Sequence, residues 1–345
     1  MNKREAFKEV FISAFNDSKL WRNWFFSNVA VNEDEISVAL DGMGKPAGAL
    51  LMQRYAFQYR GAELQSEYMS CVATKPEARS KGVASKLITD AITEAAGRGS
   101  AFCELIPAKP HLYYFYRRFG FAGVFYVDRQ RYTALHKFTP CGTPVAPDYE
   151  LFSALERRNA CGVVHNASQY ALVMEDIQVD GGYAFAVREG DGAAIVFAAP
   201  DEDIIKVKCL LADSPELADG AVALLRDAVG EKGIVVDMPP LTGEKAFLRP
   251  YGMLRIIDAH TVLATLASAF PRLKYAIRLH DAIIGDNNGI FNIRDGKCSH
   301  PEAYGGHVDL DVSVETLAAI LFSSERMASV FDLPGRRPYM RLMLD

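Results

Sequence analysis

Apolar residues in the first part of the chain recur at helical spacing. Phe7, Val10, Phe11 and Phe15 fall on one face of a helix, because they lie three, four and eight positions apart. After a polar break at 16–18, a second aromatic group at 20–25 predicts another short helix. The chain therefore opens with two amphipathic helices.

From residue 36 the pattern alternates between strands and helices. Extended stretches are followed by a loop and then by a clear apolar stripe between residues 83 and 95, which predicts a helix that begins near Gly82. The predicted elements of this part are strands at 36–40, 47–55 and 62–72, a helix at 83–97, a strand at 101–106, a helix at 111–118 and a strand at 124–132.

Residues 150–257 have the pattern of a degenerate repeat of the order of helices and strands in the first part of the chain. The remaining residues change style again, with a helix at 261–269, strands at 273–279, 290–293 and 308–312, and a helix that begins at Ser313. The repeat is predicted to consist of a helix at 151–163, strands at 183–187, 193–199 and 204–211, a helix at 218–229 and a strand at 234–237. We predict three domains, residues 1–132, 133–257 and 258–345, of the α/β (α+β) class.

Composition and charge narrow the function. The 345 residues are 50% hydrophobic and 23% charged, which is typical of a globular protein, and the net charge of −5 gives no reason to expect a nucleic-acid partner. We found no apolar window of 18 residues, so no membrane span is expected. Six isolated cysteines without Cys or His pairs indicate a reduced, cytoplasmic protein and no metal site.

The segment before the third predicted helix is suited to bind an anion. It carries Arg79, Ser80, Lys81, Gly82, Val83, Ala84 and Ser85, with no acidic residue among them. Unpaired amides and the dipole at a helix N-terminus attract negative charge, and glycine allows close approach to the backbone. A pyrophosphate is the natural ligand, although the segment is neither a P-loop nor a GxGxxG motif. A solvated surface turn is the alternative.

Two motifs together suggest a family. Arg-x-x-Gly-x-Ala at 79–84 follows a predicted strand, and Tyr-Tyr-Phe-Tyr-Arg-Arg-Phe-Gly-Phe at 113–121 lies on the next predicted helix. They resemble the acyl-CoA pyrophosphate loop and the second signature of the GNAT N-acetyltransferases. The resemblance covers about residues 1–132. Ala84 stands where many members have glycine.

The sequences of these motifs, together with the length of the chain after residue 132, resemble those of the Eis (enhanced intracellular survival) group. That resemblance implies a duplicated GNAT fold, a mixed sheet flanked by helices: a catalytic GNAT domain and a degenerate GNAT-like one, followed by a sterol-carrier-protein-like domain. It also implies a homo-oligomer, a hexamer in that group. The second domain is not expected to bind CoA, because its loop contains Asp213 and Glu216.

The resemblance also implies the chemistry. Acetyl-CoA is the co-substrate and no metal is needed; the acceptor is a primary amine of the aminoglycoside, polyamine or lysine type. Tyr116 matches the general acid of the family, and the terminal carboxylate of Asp345 is the expected base. The cofactor is expected to contact the strand end Val72, Ala73 and Thr74 and the loop Arg79, Ser80, Lys81, Gly82, Val83, Ala84 and Ser85. Trp21, Trp24 and Phe25 are expected to wall the acceptor pocket.

Each predicted role has an alternative in which the residue serves only in packing or the protein has another function. Tyr116, like Tyr113 and Tyr114, has the pattern of a core aromatic, and the early aromatics have the pattern of plain packing. The apolar tail at 338–344 favours a packed chain end over a frayed one. A protein or peptide N-acyltransferase is an alternative enzyme, and an acyl-CoA-binding or lipid-carrier protein is the non-catalytic one. The intact loop together with Tyr116 favours an enzyme.

Overall fold

The fold contains one large sheet, one small sheet and helices on their faces. The computed structural model describes residues 2–238 and 248–344. The helices are α1 (Lys3–Ala14), α2 (Lys19–Asn28), α3 (Val83–Gly97), α4 (Leu112–Arg117), α5 (Tyr149–Glu156), α6 (Ala167–Val179), α7 (Pro215–Val229), α8 (Ala259–Ala269), α9 (Val314–Leu321) and α10 (Ser324–Phe331).

Most strands join the large sheet. The strands are β1 (Ile36–Leu40), β2 (Pro46–Tyr59), β3 (Ala62–Thr74), β4 (Phe102–Leu105), β5 (Ala122–Tyr132), β6 (Thr143–Val145), β7 (Cys161–Val164), β8 (Tyr183–Glu189), β9 (Gly192–Asp201), β10 (Ile204–Ala212), β11 (Gly233–Met238), β12 (Leu248–Ile256), β13 (Tyr275–His280), β14 (Gly289–Arg294), β15 (Lys297–Ser299) and β16 (Leu310–Ser313).

The large sheet is internally duplicated. Its order is β1-β2-β3-β4-β12-β5-β11-β10-β9-β8-β6, with β7 paired to β2. In one half, α3 connects the parallel strands β3 and β4; in the other, α7 connects the parallel strands β10 and β11. The predicted mixed α/β fold with a duplicated sheet is confirmed.

The two halves exchange strands at the centre. β12, which follows β11 in the chain, pairs antiparallel with both β4 and β5, while β5 pairs with β11. Strands on both sides of residue 132 therefore alternate in one continuous sheet. The division into residues 1–132, 133–257 and 258–345 stays a prediction.

Each half carries a bulge in the strand that precedes its connecting helix. In β3, Cys71 and Val72 together lie opposite Leu50, because Ala73 pairs with Ala49 and the next pair is Ser70 with Leu51. Cys71 adopts a left-handed φ of 52°. β10 shifts its register in the same way between Val207 and Cys209. A bulge bends its strand away from the regular ladder, so both halves are bent at corresponding places.

The small sheet lies at the C-terminal end, in the order β15-β14-β13-β16. Its last strand leads into α9, whose N-cap Ser313 accepts a hydrogen bond from the amide of Thr316, as the S-x-x-T pattern predicts. α9 packs against β12 and β5, and so joins the small unit to the centre of the large sheet.

The predicted helix at 151–163 is wrong beyond its first part. α5 ends at Glu156, and Cys161–Val164 forms β7, which pairs antiparallel with β2. The apolar run at 161–164 has no clear period by itself, and pairing with distant strands decides its conformation. The helices α6 and α10 are not among the predicted elements.

The last part of the chain is packed, as its composition predicts. Residues 338–344 are buried. The amide of Tyr339 donates to the carbonyl of Cys161, and the amide of Val163 donates to the carbonyl of Tyr339, both over 3.0 Å. A β-carbon at Gly162 would collide with the backbone of Tyr339, so glycine permits this close approach. Asp345 lies outside the described residues.

Within the two described ranges, no helix has the length and apolar character needed to cross a membrane.

Candidate active site

The site begins where β3 leaves its neighbour β4. These parallel strands pair from Ser66 to Tyr68, and β3 then runs on through the bulge to Thr74 without further pairing to β4 in the described chain. Side chains alternate across the sheet, so Val72 packs towards the α3 and α4 cluster and Ala73 towards the α1 and α2 cluster. The end of β3 therefore contacts one apolar cluster on each face of the sheet.

The first turn of α3 lies close to this strand end. A β-carbon at Gly48 would lie 2.8 Å from Cγ1 of Val83 and 3.0 Å from the carbonyl oxygen of Ala73. The lack of a side chain at Gly48 lets α3 approach β2 and β3. The loop and the strand end predicted to hold the cofactor are thus brought together.

The loop itself has the features of an anion site. Ser80 and Gly82 both have left-handed backbones, with φ of 61° and 79°, and the residues from Arg79 to Gly82 are exposed. Gly82 caps α3 without a side-chain hydrogen bond, so no side chain of the cap occupies the first amides of the helix. Successive amides in such turns form a concave anion-binding nest, and Lys81 adds positive charge. The donor set fits a pyrophosphate.

Arg79 is held at the root of the loop. Its Nε donates to the carbonyl oxygen of Thr74 over 3.3 Å, which orders the guanidinium beside the strand end. Glu77 is the acidic neighbour, and it lies before Arg79 in the short 3₁₀ turn Pro76–Ala78. The charge between residues 79 and 85 therefore remains positive.

Tyr116 lies on α4 and points into the α3 side of the sheet. Its cluster includes Leu87 and Leu105, with Val72 packed against it. Tyr116 is 7% exposed, and burial raises the pKa of its phenol to about 12. The group is therefore protonated at neutral pH and is able to donate.

The neighbouring tyrosines differ from Tyr116. Tyr113 is half-buried, whereas Tyr114 is 74% exposed. The expectation that Tyr114 packs in the core is wrong, because a six-residue helix on the surface turns one residue in the aromatic run outward. Tyr116 is the tyrosine of this helix that the sheet buries.

A cavity of about 390 Å³ lies beside the other face. It is bordered by α2, α6, β10 and the buried tail, and its polar lining mixes acidic and basic side chains. The lining residues are Asp17, Ser18, Trp21, Val173, Asp176, Asp180, Lys206, Val207, Lys208, Asp237, Tyr251, Arg341, Leu342 and Met343.

The predicted acceptor residues divide between this cavity and the core. Trp21 lines the cavity and donates from Nε1 to Oδ1 of Asp176 over 2.9 Å. Trp24 donates to Oε2 of Glu175 over 2.9 Å at a more exposed position. Phe25 is instead fully buried and stacks on Trp21 with ring centroids 4.9 Å apart, so it supports the wall from beneath.

Charged residues on distant elements fix the far wall of the cavity. Lys208 contacts Asp180 over 2.8 Å and Asp176 over 3.2 Å. Although burial opposes ionisation, the guanidinium of Arg129 lowers the pKa of Asp237. These groups are not among the predicted site residues; the local signal they offer is the i, i+4 spacing of Asp176 on α6 and Asp180, the C-cap of that helix.

The tail lines the cavity and packs in the apolar core. Arg341 donates from Nη2 to the carbonyl oxygen of Asp237 over 3.1 Å and lies 4.1 Å from the ring centroid of Tyr251. Leu344 packs in the same cluster as Ala73 at the end of β3. The described chain therefore ends in the cluster that includes the strand end.

No group of three or more His, Cys, Asp or Glu side chains placed to hold a metal ion occurs in residues 2–238 and 248–344.

Comparison with known proteins identifies a domain in the first part of the chain. Residues 2–124 match the model of the acetyltransferase (GNAT) domain. No curated protein matches the chain in sequence.

Solved structures with the same fold cover nearly the whole chain. Eis1 from Mycobacterium abscessus is 16% identical, with 98% of this chain and 96% of that chain covered and a TM-score of 0.71. A GCN5-related N-acetyltransferase from Kribbella flavida is 16% identical, with 96% and 90% covered and a TM-score of 0.73. One from Anabaena variabilis is 16% identical, with 94% and 88% covered and a TM-score of 0.69.

At these identities the solved structures establish the fold, and the domain match establishes the chemistry class. Residues 2–124 form a GNAT acetyltransferase domain, and the protein is an acyl-CoA-dependent acyltransferase.

Proposed function

We propose that the protein transfers the acetyl group of acetyl-CoA directly to a primary amine of the aminoglycoside, polyamine or lysine type. One observation carries the proposal: a positively charged nest at the start of α3 and a buried, protonated Tyr116 lie on the same face of the sheet, beside the end of β3. An anion site and a proton donor are the two groups that a thioester donor needs on the protein.

The loop would hold the pyrophosphate of acetyl-CoA. Amides from Ser80 to Ser85 would bind the phosphate oxygens, with Arg79 and Lys81 adding charge, and Val72, Ala73 and Thr74 would bond the pantetheine arm through their backbone. The bulge at Cys71 supports this role, because bent strands next to active sites re-aim backbone groups. When bound, acetyl-CoA supplies the activated acetyl group.

Loop variants test the donor site. Lys81→Ala is expected to raise KM for acetyl-CoA about tenfold, since it removes a charge-assisted contact. It should leave KM for acetyl-pantetheine, which lacks the pyrophosphate, within about twofold on the same argument. Steady-state kinetics with both donors measures this. Lys86→Ala is the matched control, because Lys86 pairs with Asp90 one turn further along α3. Equal changes with both donors would contradict the assignment.

Tyr116 would protonate the departing CoA thiolate. Attack of a neutral amine on the thioester carbonyl forms the new C–N bond, and the electron pair of the broken C–S bond leaves on sulfur. A phenol whose pKa burial raises to about 12 keeps its proton through the neutral range and holds it ready for that sulfur.

Substitution of Tyr116 tests this step. Tyr116→Phe is expected to lower kcat by about 100-fold, the usual scale of general acid catalysis, with KM for acetyl-CoA within about twofold. Tyr114→Phe, on the exposed side of the same helix, should retain wild-type kinetics. The pKa of Tyr116 is raised to about 12, so Tyr116 keeps its proton over the working range. At any pH below about 10, wild-type kcat should therefore show no decrease from deprotonation of Tyr116. Equal loss of turnover and acetyl-CoA affinity in Tyr116→Phe would indicate a packing role.

The terminal α-carboxylate of Asp345 would take the proton from the amine. Burial of residues 338–344 supports this role, since it keeps the chain packed in the core up to one residue before Asp345, in an apolar cluster that also contains Ala73.

Deletion of Asp345 tests the base. It removes both carboxylates from that position and is expected to lower kcat at least about tenfold, the lower end of acid–base effects, with acetyl-CoA binding retained. The measurement is the pH dependence of kcat, and Asp345→Asn separates the side chain from the main-chain carboxylate. Full activity of the deleted chain at neutral pH would exclude this base.

The acceptor would enter from the cavity lined by Trp21. Its aromatic wall and the carboxylates of Asp17, Asp176 and Asp180 suit an amine with a polar, cationic body. Lys206 and Lys208 offset part of that negative charge, so the geometry does not select one acceptor among the three classes.

The second half would be a degenerate GNAT domain without a CoA site. Asp213, at the equivalent loop, accepts from the amide of Ala193 over 2.8 Å and pairs with Arg158. Pro215 contributes no amide at the start of α7, and Ser214 caps that helix. These contacts support a structural role. The small C-terminal sheet would be the sterol-carrier-like domain, and a homo-oligomer, a hexamer in the Eis group, remains a prediction of the resemblance.

A further inference from the structure

The helix that carries Tyr116 needs support from outside itself. α4 has six residues, and its N-cap His111 makes no side-chain capping bond. Pro107 and Pro110 precede it and interrupt the backbone. Helices this short are not stable alone in water, so tertiary contacts must set the direction of α4.

A buried arginine from the other half of the sheet meets the end of this helix. Arg255 lies on β12 and donates from Nη1 to the carbonyl oxygen of Phe119, three residues after Tyr116. A β-carbon at Gly120 would collide with that guanidinium. Gly120, with a left-handed φ of 81°, therefore allows the contact.

The same guanidinium is anchored to the small C-terminal unit. Its Nη2 lies 2.6 Å from each carboxylate oxygen of Asp281, which follows β13, and both side chains are buried. Breaking one partner of such a buried pair leaves an uncompensated charge. Arg255 is therefore held in one orientation.

Asp281 is itself fixed by its loop. Oδ1 accepts from the amides of Ile283 and Ile284 over 2.9 and 3.1 Å, and Oδ2 accepts from Nδ2 of Asn287 over 2.9 Å. Asn287 also donates to the carbonyl oxygen of Ile257 at the end of β12. The network runs without a gap from the C-terminal unit through Arg255 to α4.

Two further contacts act on the same helix. Nε of Arg117 lies 2.9 Å from Oε1 of Glu315 in the first turn of α9. Ile284, from the loop that Asp281 organises, packs in the apolar cluster of Tyr116 and Phe119. The C-terminal unit thus contacts α4 directly through the Arg117–Glu315 ion pair, reaches Phe119 through Arg255, and adds Ile284 to the apolar cluster of Tyr116.

We propose that Arg255 and Asp281 are positioning residues for the general acid: through them the C-terminal unit fixes α4 so that the phenol of Tyr116 meets the leaving sulfur. The inference rests on the proposed function of Tyr116. It gives the C-terminal unit a part in turnover, and it differs from a purely stabilising role because its effect passes through one side chain.

The test combines two substitutions. Arg255→Lys keeps the positive charge and removes the planar guanidinium whose hydrogen bonds join Phe119 to Asp281. It is expected to lower kcat about tenfold, as a small misplacement of a reacting group does, with KM for acetyl-CoA within about twofold. In the Tyr116→Phe background the same change should alter kcat by less than about twofold, because the group being positioned is gone.

A matched control separates positioning from stability. Arg98 also forms a two-point pair with a buried carboxylate, that of Glu67, at 2.8 and 2.5 Å, at the C-terminal end of α3, and its side chain is more exposed than that of Arg255. Arg98→Lys should lower the urea midpoint of unfolding, by less than Arg255→Lys does, with kcat unchanged. Asp281→Asn provides a second variant if Arg255→Lys does not fold, and the same loss of kcat is expected.

Hydrogen exchange of the amides from 112 to 119 tests the brace independently of Tyr116. These amides should exchange at least about tenfold faster in Arg255→Lys, while those of α3 stay protected. A loss of kcat that multiplies with that of Tyr116→Phe, or unchanged exchange in α4, would overturn the inference. Full activity of Tyr116→Phe alone would instead overturn the proposed function, and the exchange result would still decide whether the brace exists.

Discussion

The exchange of β5 and β12 at the centre of the sheet is the constraint on which the structure depends. β5 belongs in sequence to the first half but pairs with β11 of the second, and β12 follows β11 in sequence but pairs with β4 of the first. Neither half therefore has its full set of neighbouring strands without the other. The four strands β4, β12, β5 and β11 therefore form one continuous ladder. Beside this centre, β3 bends at its bulge and runs on past its pairing with β4.

In the proposed mechanism, the two substrates lie on opposite faces of the sheet at the bent end of β3. The anion nest and Tyr116 lie on the α3 side, while the tail and the α1 and α2 cluster lie on the other. A group carried on the donor would reach the acceptor side past the end of β3. In the proposed mechanism, parts that are remote in sequence meet at this place: residues 72–85 would hold the donor, elements of both halves would wall the acceptor cavity, and the C-terminal residues would supply the tail and the brace.

The sequence signals behind the proposed donor site are local. The loop at 79–84 and the aromatic helix before Gly120 each depend on a few neighbouring residues, and the structure brings them to one face. Most of the remainder depends on partners far apart in the chain. Arg255 lies 136 residues from Phe119 and 26 from Asp281, and β7 becomes a strand through pairing with β2 and Tyr339. For Phe25 the local pattern misleads: an aromatic side chain next to Trp24 suits a pocket wall, but Phe25 stacks on Trp21 and is buried in the core.

Amine-dependent thiol release, measured together with the acetylated product by mass spectrometry, tests the central claim most directly. Acetyl-CoA and the full-length protein are mixed with polyamines, aminoglycosides and lysine peptides in separate reactions. Direct transfer predicts that at least one amine yields CoA thiol and acetylated amine in equal amounts, and that omission of the amine abolishes both. Binding of acetyl-CoA with no amine-dependent thiol release from any of them would contradict the account.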